Sequence, residues 1–247
     1  MRRLLPPLLA LLLLAGCGGG ATTGEQPTTV QPATTAAAAP TATADVYPAR
    51  GEARATVVLL HGWNDVSPEG YEPWIEHLNE TGVTVIYPGY QRGLLSTPGQ
   101  MLAGTEASIR AGFEQAPPQG PVIAAGYSLG GGFAVVYAAN AEAWNVPAPA
   151  AVYGVFPAMP PTVPEPFGTV PEATTVTLLA SEDDQVVGTL GADQLAAAIA
   201  PHTATIDILA STAAITFDHF APKRTDAAAQ EAFWAPLDRL VDEVAPR

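Results

Sequence analysis

The sequence predicts an α/β domain, in which a mostly parallel sheet of about six or more strands carries helices on both faces. Three observations point there. From about residue 46 onward, short apolar runs alternate with helix-like stretches, the order that strand–helix units produce. The runs are hydrophobic throughout rather than alternating, as strands covered on both faces must be. Finally, 48% of the 247 residues are apolar, enough to fill a core and to exclude disorder along the whole length. At roughly 100–200 residues per domain, the length allows one full domain with terminal extras.

The elements follow in order. Ala55–Leu60 (ATVVLL) is a continuous apolar run and the first buried strand. Residues 71–81 read as an amphipathic helix closed by Gly82. Val83–Tyr87 is the second strand, and residues 98–115 form a helix stopped by Pro117 and Pro118. Val122–Ala125 is the third strand, followed by a helix of small and apolar residues over 129–143. Ala151–Phe156 is the fourth strand, and a Pro-rich loop runs from it through Pro171. Val176–Ala180, a helix over 189–200 and the sixth strand Ala204–Leu209 come next. A helix from Thr225 to about Val244 closes the chain. No internal repeat is visible.

The N-terminus reads as an address. Arg2 and Arg3 precede an apolar run from Leu4 to Ala15, too short for the ~20 residues that span a bilayer and of signal-peptide length. The run ends Leu14-Ala15-Gly16-Cys17, and Cys17 is the only cysteine in the chain. This resembles a bacterial lipoprotein signal, which implies removal of residues 1–16 and lipidation of Cys17. Residues 18–45 hold eight Thr, eight Ala and three Pro, and no Leu, Ile, Phe or Trp. Such a segment cannot offset its ordering entropy by burial, so residues 17–45 are expected to be a lipidated cysteine and a disordered tether of roughly 30 Å. Residues 46–247 are then the folded domain, expected to be held in the cell envelope, outside the cytoplasm, on a bacterial membrane.

Charge and cysteine content remove several function classes. Ten basic residues face 24 acidic ones, a net charge of −14, which disfavours nucleic acid as a partner. One cysteine excludes an internal disulfide framework and a zinc site built on several thiolates. Four histidines, at 61, 77, 202 and 219, leave little for a metal cluster, and no metal or organic cofactor is expected. A monomer is expected.

Gly126-Tyr127-Ser128-Leu129-Gly130 directly follows the third strand and opens a helix, the context of a G-x-S-x-G nucleophile turn. The serine sits on a sharp turn that leaves no room for flanking side chains, hence the glycines two residues to either side. A serine nucleophile needs a base oriented by a carboxylate, in the chain order Ser, Asp or Glu, His. His202 falls at the amino end of the sixth strand, the wrong edge of the sheet, whereas His219 follows its carboxyl end. His77 lies on an exposed-looking helix face, and His61 is a structural residue tying down its loop. The acid comes from Ser181-Glu182-Asp183-Asp184 after the fifth strand: Asp184 is preferred because a polar residue and two valines follow it, with Asp183 and Glu182 as alternatives. Two N–H groups must also face the developing oxyanion. The expected donors are the backbone of Leu129, after the nucleophile, and of Trp63 in His61-Gly62-Trp63.

Taken together, HGW (61–63), GYSLG (126–130), SEDD (181–184) and DHF (218–220) resemble the α/β-hydrolase superfamily, in particular its small members such as dienelactone hydrolases and carboxylesterases. The likeness covers about residues 50–245. It implies an α/β-hydrolase fold and a Ser–His–Asp hydrolase whose carbonyl substrate enters at the carboxyl edge of the sheet. Residues 157–173 form one short Pro-rich loop where relatives with large caps insert them, so no cap domain and an open site are expected. Trp63, Tyr127, Phe156, Met159 and Phe167 either line an apolar acyl pocket or pack in the core. The leading expectation is a lipid-anchored hydrolase of small-molecule or lipid-like esters. Amide, peptide or perhydrolase chemistry on the same residues is one alternative, and a binding lipoprotein without turnover is the other.

Overall fold

Seven strands build a single sheet: β1 (Ala44–Tyr47), β2 (Ala55–Leu60), β3 (Val83–Pro88), β4 (Val122–Tyr127), β5 (Ala151–Val155), β6 (Thr175–Ala180) and β7 (Thr205–Ile208). The computed structural model describes residues 43–93, 95–161 and 167–246. The strand order is β1-β3-β2-β4-β5-β6-β7. All neighbours are parallel except β1, which runs antiparallel to β3. The expected mostly parallel sheet with helices on both faces is what the chain forms.

Successive strand residues point to opposite faces, and here both faces are apolar. Val58, Leu60, Ile86, Ala124, Val152 and Leu178 join one core cluster. Val57, Leu59, Val85, Ala125, Tyr153 and Leu179 join the other. This is why the inner strands read as unbroken hydrophobic runs. Residues of α2 (Pro98–Gln115), α3 (Leu129–Asn140) and α4 (Leu190–Ala198) cover the first face. Those of α1 (Glu72–Glu80) and α6 (Ala235–Val244) cover the second. Helix α3, behind the nucleophile turn, is buried on every side up to Ala139. Thr97 and Gln100 form a reciprocal cap that starts α2, satisfying two otherwise orphaned donors.

Four expectations need correction. Strand β1 takes up Ala44 and Asp45, which the sequence reading places in the tether. The rest of that reading up to residue 42, including residues 1–16 and Cys17, lies outside the described residues. Strand β7 is mostly exposed, because an edge strand has one neighbour and little cover. The closing helix is not continuous: α5 (Ala227–Ala229), capped by Asp226, passes into a π turn over Gln230–Trp234 before α6. In that wide turn Ala235 N–H reaches back to Gln230 O, and the Tyr153 hydroxyl donates to Phe233 O at 2.8 Å. Finally, His77 does not face solvent alone. Its Nε2 lies 2.8 Å from Asp238 Oδ2 and its ring packs 5.3 Å from that of Trp234, tying α1 to α6.

The connection from β5 to β6 contains no helix or strand among its described residues. Among the described residues no large cap covers the sheet.

Candidate active site

Six parallel strands place their carboxyl ends at one edge, and the chain brings its reactive groups there. Ser128 lies in the turn between β4 and α3, with φ 54° and ψ −124°, a sparsely populated conformation for a residue with a side chain. The surroundings hold it: Ser128 N–H donates to Val155 O at 2.9 Å, and Ser128 O accepts from Ala158 N–H at 2.9 Å and Gly132 N–H at 3.3 Å. Phe156, also at positive φ (45°), turns the chain after β5 so that Ala158 reaches the serine carbonyl. The flanking glycines are required by space. A Cβ on Gly126 would overlap the Gly130 carbonyl, and one on Gly130 would overlap the carbonyls of Leu60 and His61.

Ser128, His219 and Asp184 come together although 91 residues separate the first pair. His219 Nε2 stands 3.0 Å from Ser128 Oγ, and His219 Nδ1 stands 2.8 Å from Asp184 Oδ2. The other carboxylate oxygen, Oδ1, accepts Val186 N–H at 2.8 Å and Val187 N–H at 3.1 Å. All three residues are buried, at 7%, 7% and 3% exposure. Glu182 and Asp183 point outward. His202 lies between α4 and β7, at the opposite edge. The arrangement can pass a proton from the serine hydroxyl to the imidazole, with the carboxylate fixing which ring nitrogen carries hydrogen.

The loop after β2 is fixed by a set of contacts. Burial pushes the His61 imidazole down to about 4, so it is neutral, and its Nδ1 pairs with Gly62 O at 2.8 Å. Its ring stacks on Tyr90 at 4.2 Å, whose hydroxyl donates to His61 O. Gly62 N–H donates to the Tyr71 hydroxyl, Asn64 N–H to Gln91 Oε1, and Asp65 N–H to Gly62 O. That leaves Trp63 N–H as the backbone donor of this turn with no protein acceptor among the described residues. Leu129 N–H is at the first turn of α3, where helix donors have no intrahelical partner.

Several positioning contacts had no local signal in the sequence. Tyr127 OH donates to His219 O at 2.7 Å, and burial raises its pKa, so it keeps the proton it donates. Lys223 Nζ meets Asp65 Oδ2 at 2.6 Å, joining the His219 loop to the Trp63 loop across 158 residues. The same Asp65 oxygen accepts from Tyr71 OH. Of the side chains considered for an acyl pocket, Tyr127, Phe156 and Phe167 are buried in the core and Met159 packs partly against it. Trp63 is exposed.

The fold is similar to that of several solved hydrolases. A novel thermophilic esterase from the Planctomycetes species Thermogutta terrifontis, with butyrate bound, is 17% identical at a TM-score of 0.62, over 83% of this chain and 91% of that one. Esterase PE8 is 16% identical at a TM-score of 0.55, over 80% and 98%. An alpha-beta serine hydrolase homologue from Coxiella burnetii is 12% identical at a TM-score of 0.55, over 81% and 89%. No protein-family model and no curated protein matches the sequence. At these identities the likeness is one of fold, and the fold is that of the α/β hydrolases.

Proposed function

We propose that the protein is a serine hydrolase that cleaves carboxylic esters through Ser128, His219 and Asp184. The observation that carries this reading is the buried hydrogen-bonded series from Ser128 Oγ through both His219 nitrogens to Asp184. Ser128 Oγ attacks the ester carbonyl as His219 Nε2 takes its proton. The resulting oxyanion is held by the N–H groups of Trp63 and Leu129, donors worth about 3–4 kcal/mol each in such sites. Collapse expels the alcohol, which takes the proton from His219 and leaves an acyl group on Ser128 Oγ. Water, deprotonated by His219, then attacks the acyl carbonyl, releases the acid and restores the serine. No cofactor is required by this sequence of steps. The esterase neighbours support the ester over the amide as the bond cleaved.

Two measurements test the proposal. A fluorophosphonate probe should label the wild type and not Ser128→Ala, and nitrophenyl esters should turn over far faster than the matching anilides. Equal labelling of both proteins overturns the assignment of Ser128. Faster anilide turnover replaces the esterase reading with an amidase.

The domain is further proposed to be lipid-anchored through Cys17 outside the cytoplasm. What supports the anchor is the sequence alone: Arg2 and Arg3, an apolar run of signal-peptide length and the chain's one cysteine just after it. Cys17→Ser should move the protein from the membrane pellet to the soluble fraction, and retention in the pellet overturns the anchor.

A further inference from the structure

Large apolar side chains stand exposed in and beside the loops that carry Trp63, Asp184 and His219. Trp63 and Val66 are 46% and 43% exposed on the loop after β2. Val186, between β6 and α4, is 62% exposed, Leu190, the first residue of α4, is 63% exposed, and Phe220, directly after His219, is 64% exposed. Contacts tie the segments that carry these five together at the carboxyl edge of the sheet, as a ring of loops. Asp65, between Trp63 and Val66, is bound to Lys223, three residues past Phe220. Val186 N–H holds Asp184. Gly191, next to Leu190, packs on Pro157, whose neighbour Ala158 donates to Ser128 O. Among the described residues, the other large apolar side chains with comparable exposure are Leu95, after β3 at the same edge, and Ile208, the last residue of edge strand β7. None lies at the amino edge.

An apolar patch of this kind on a soluble domain marks an interaction surface. Two loops of the ring carry His219 and Asp184, hydrogen-bonded in series to Ser128, so its occupant is whatever presents the ester. Charge narrows the occupant further. Glu182, Asp183 and Asp218 are exposed beside the ring, and the chain carries 24 acids against 10 bases, so an anionic surface is repelled. We infer that the ring seats on the acyl chains of a neutral, water-insoluble ester, of the kind an emulsified triacylglycerol presents, so that Ser128 meets its substrate at the surface of an aggregate. The inference rests on the hydrolase reading for the reaction but not for the seating.

The test exploits the tryptophans. Trp74, Trp144 and Trp234 are buried at 4%, 8% and 7% exposure, so short-range quenching by brominated acyl chains reports on Trp63. Full-length Ser128→Ala protein, which cannot turn over, should be quenched by an emulsion of brominated trioleoylglycerol and much less by brominated phosphatidylglycerol vesicles. The double variant Val66→Ser/Leu190→Ser should lose most of that quenching. In the Ser128 background it should lower the ratio of rates on emulsified trioctanoin and dissolved nitrophenyl acetate at least fivefold, with Tm checked to confirm folding. Absence of quenching, an unchanged ratio, or a dimer of the wild type that the double variant dissolves would each overturn the inference. Quenching that persists in a protein that hydrolyses neither ester supports the ring and counts against the hydrolase reading.

Discussion

Asp184→Asn is expected to lower kcat by about four orders of magnitude, as the loss of the wrong-tautomer control costs in serine proteases, while Asp183→Asn stays within a few-fold of wild type. The two oxygens of Asp184 face different donors: Oδ2 meets His219 Nδ1, and Oδ1 meets the N–H groups of Val186 and Val187. An asparagine cannot serve both. With its NH2 toward His219, it asks Nδ1 to accept, which puts the ring hydrogen on Nε2 where it can no longer take the serine proton. With its NH2 toward the valines, donor faces donor in a buried site, at about 1–3 kcal/mol. Asp183 is exposed, and removing an exposed charge costs under about 1 kcal/mol. The measurement is kcat and KM on a nitrophenyl ester, with Tm for folding. A dead Asp183→Asn beside an active Asp184→Asn would move the acid one residue back.

That choice also shows where the sequence is legible and where it stops. The inner strands are legible because each buries both faces, so their apolar runs carry the signal locally. Strand β1 is not, because ADVY pairs on one side only, with β3, and owes its conformation to residues about 40 positions away. The serine turn is legible because its glycines answer a local clash. Which acid faces the histidine is less so, since SEDD offers three carboxylates and only the packing of the loop buries Asp184. The ties from Tyr127 to His219 and from Lys223 to Asp65 leave no trace in any window, because each joins elements 92 or 158 residues apart. His77 shows no sign of its partner in the sequence for the same reason: Asp238 comes 161 residues later. The π turn likewise answers a tertiary demand, the Tyr153 hydroxyl reaching Phe233 O.

Gly130→Ala is expected to lower kcat at least a hundredfold and Tm by several degrees, although alanine is by about 1 kcal/mol the better helix former. Position 130 is the second residue of α3, so propensity alone predicts stabilisation. Space decides otherwise. The new methyl would overlap the carbonyl oxygens of Leu60 and His61, which are backbone atoms and cannot swing away. Either α3 moves off β2 or the end of β2 moves off α3, and forcing extra volume into a packed site costs about 1–3 kcal/mol. Both movements change the distance between Leu129 N–H, beside Gly130, and Trp63 N–H, two residues past His61. Losing one donor to the oxyanion lowers kcat about 10²–10³-fold. KM should change much less, since the ground-state ester does not fill that position. Gly99→Ala is the matched control: it lies in the first turn of α2, and a Cβ there meets nothing within 4 Å, so activity should hold and Tm should stay level or rise. A Gly130→Ala protein with wild-type kcat would mean that the two N–H groups do not act together on the oxyanion.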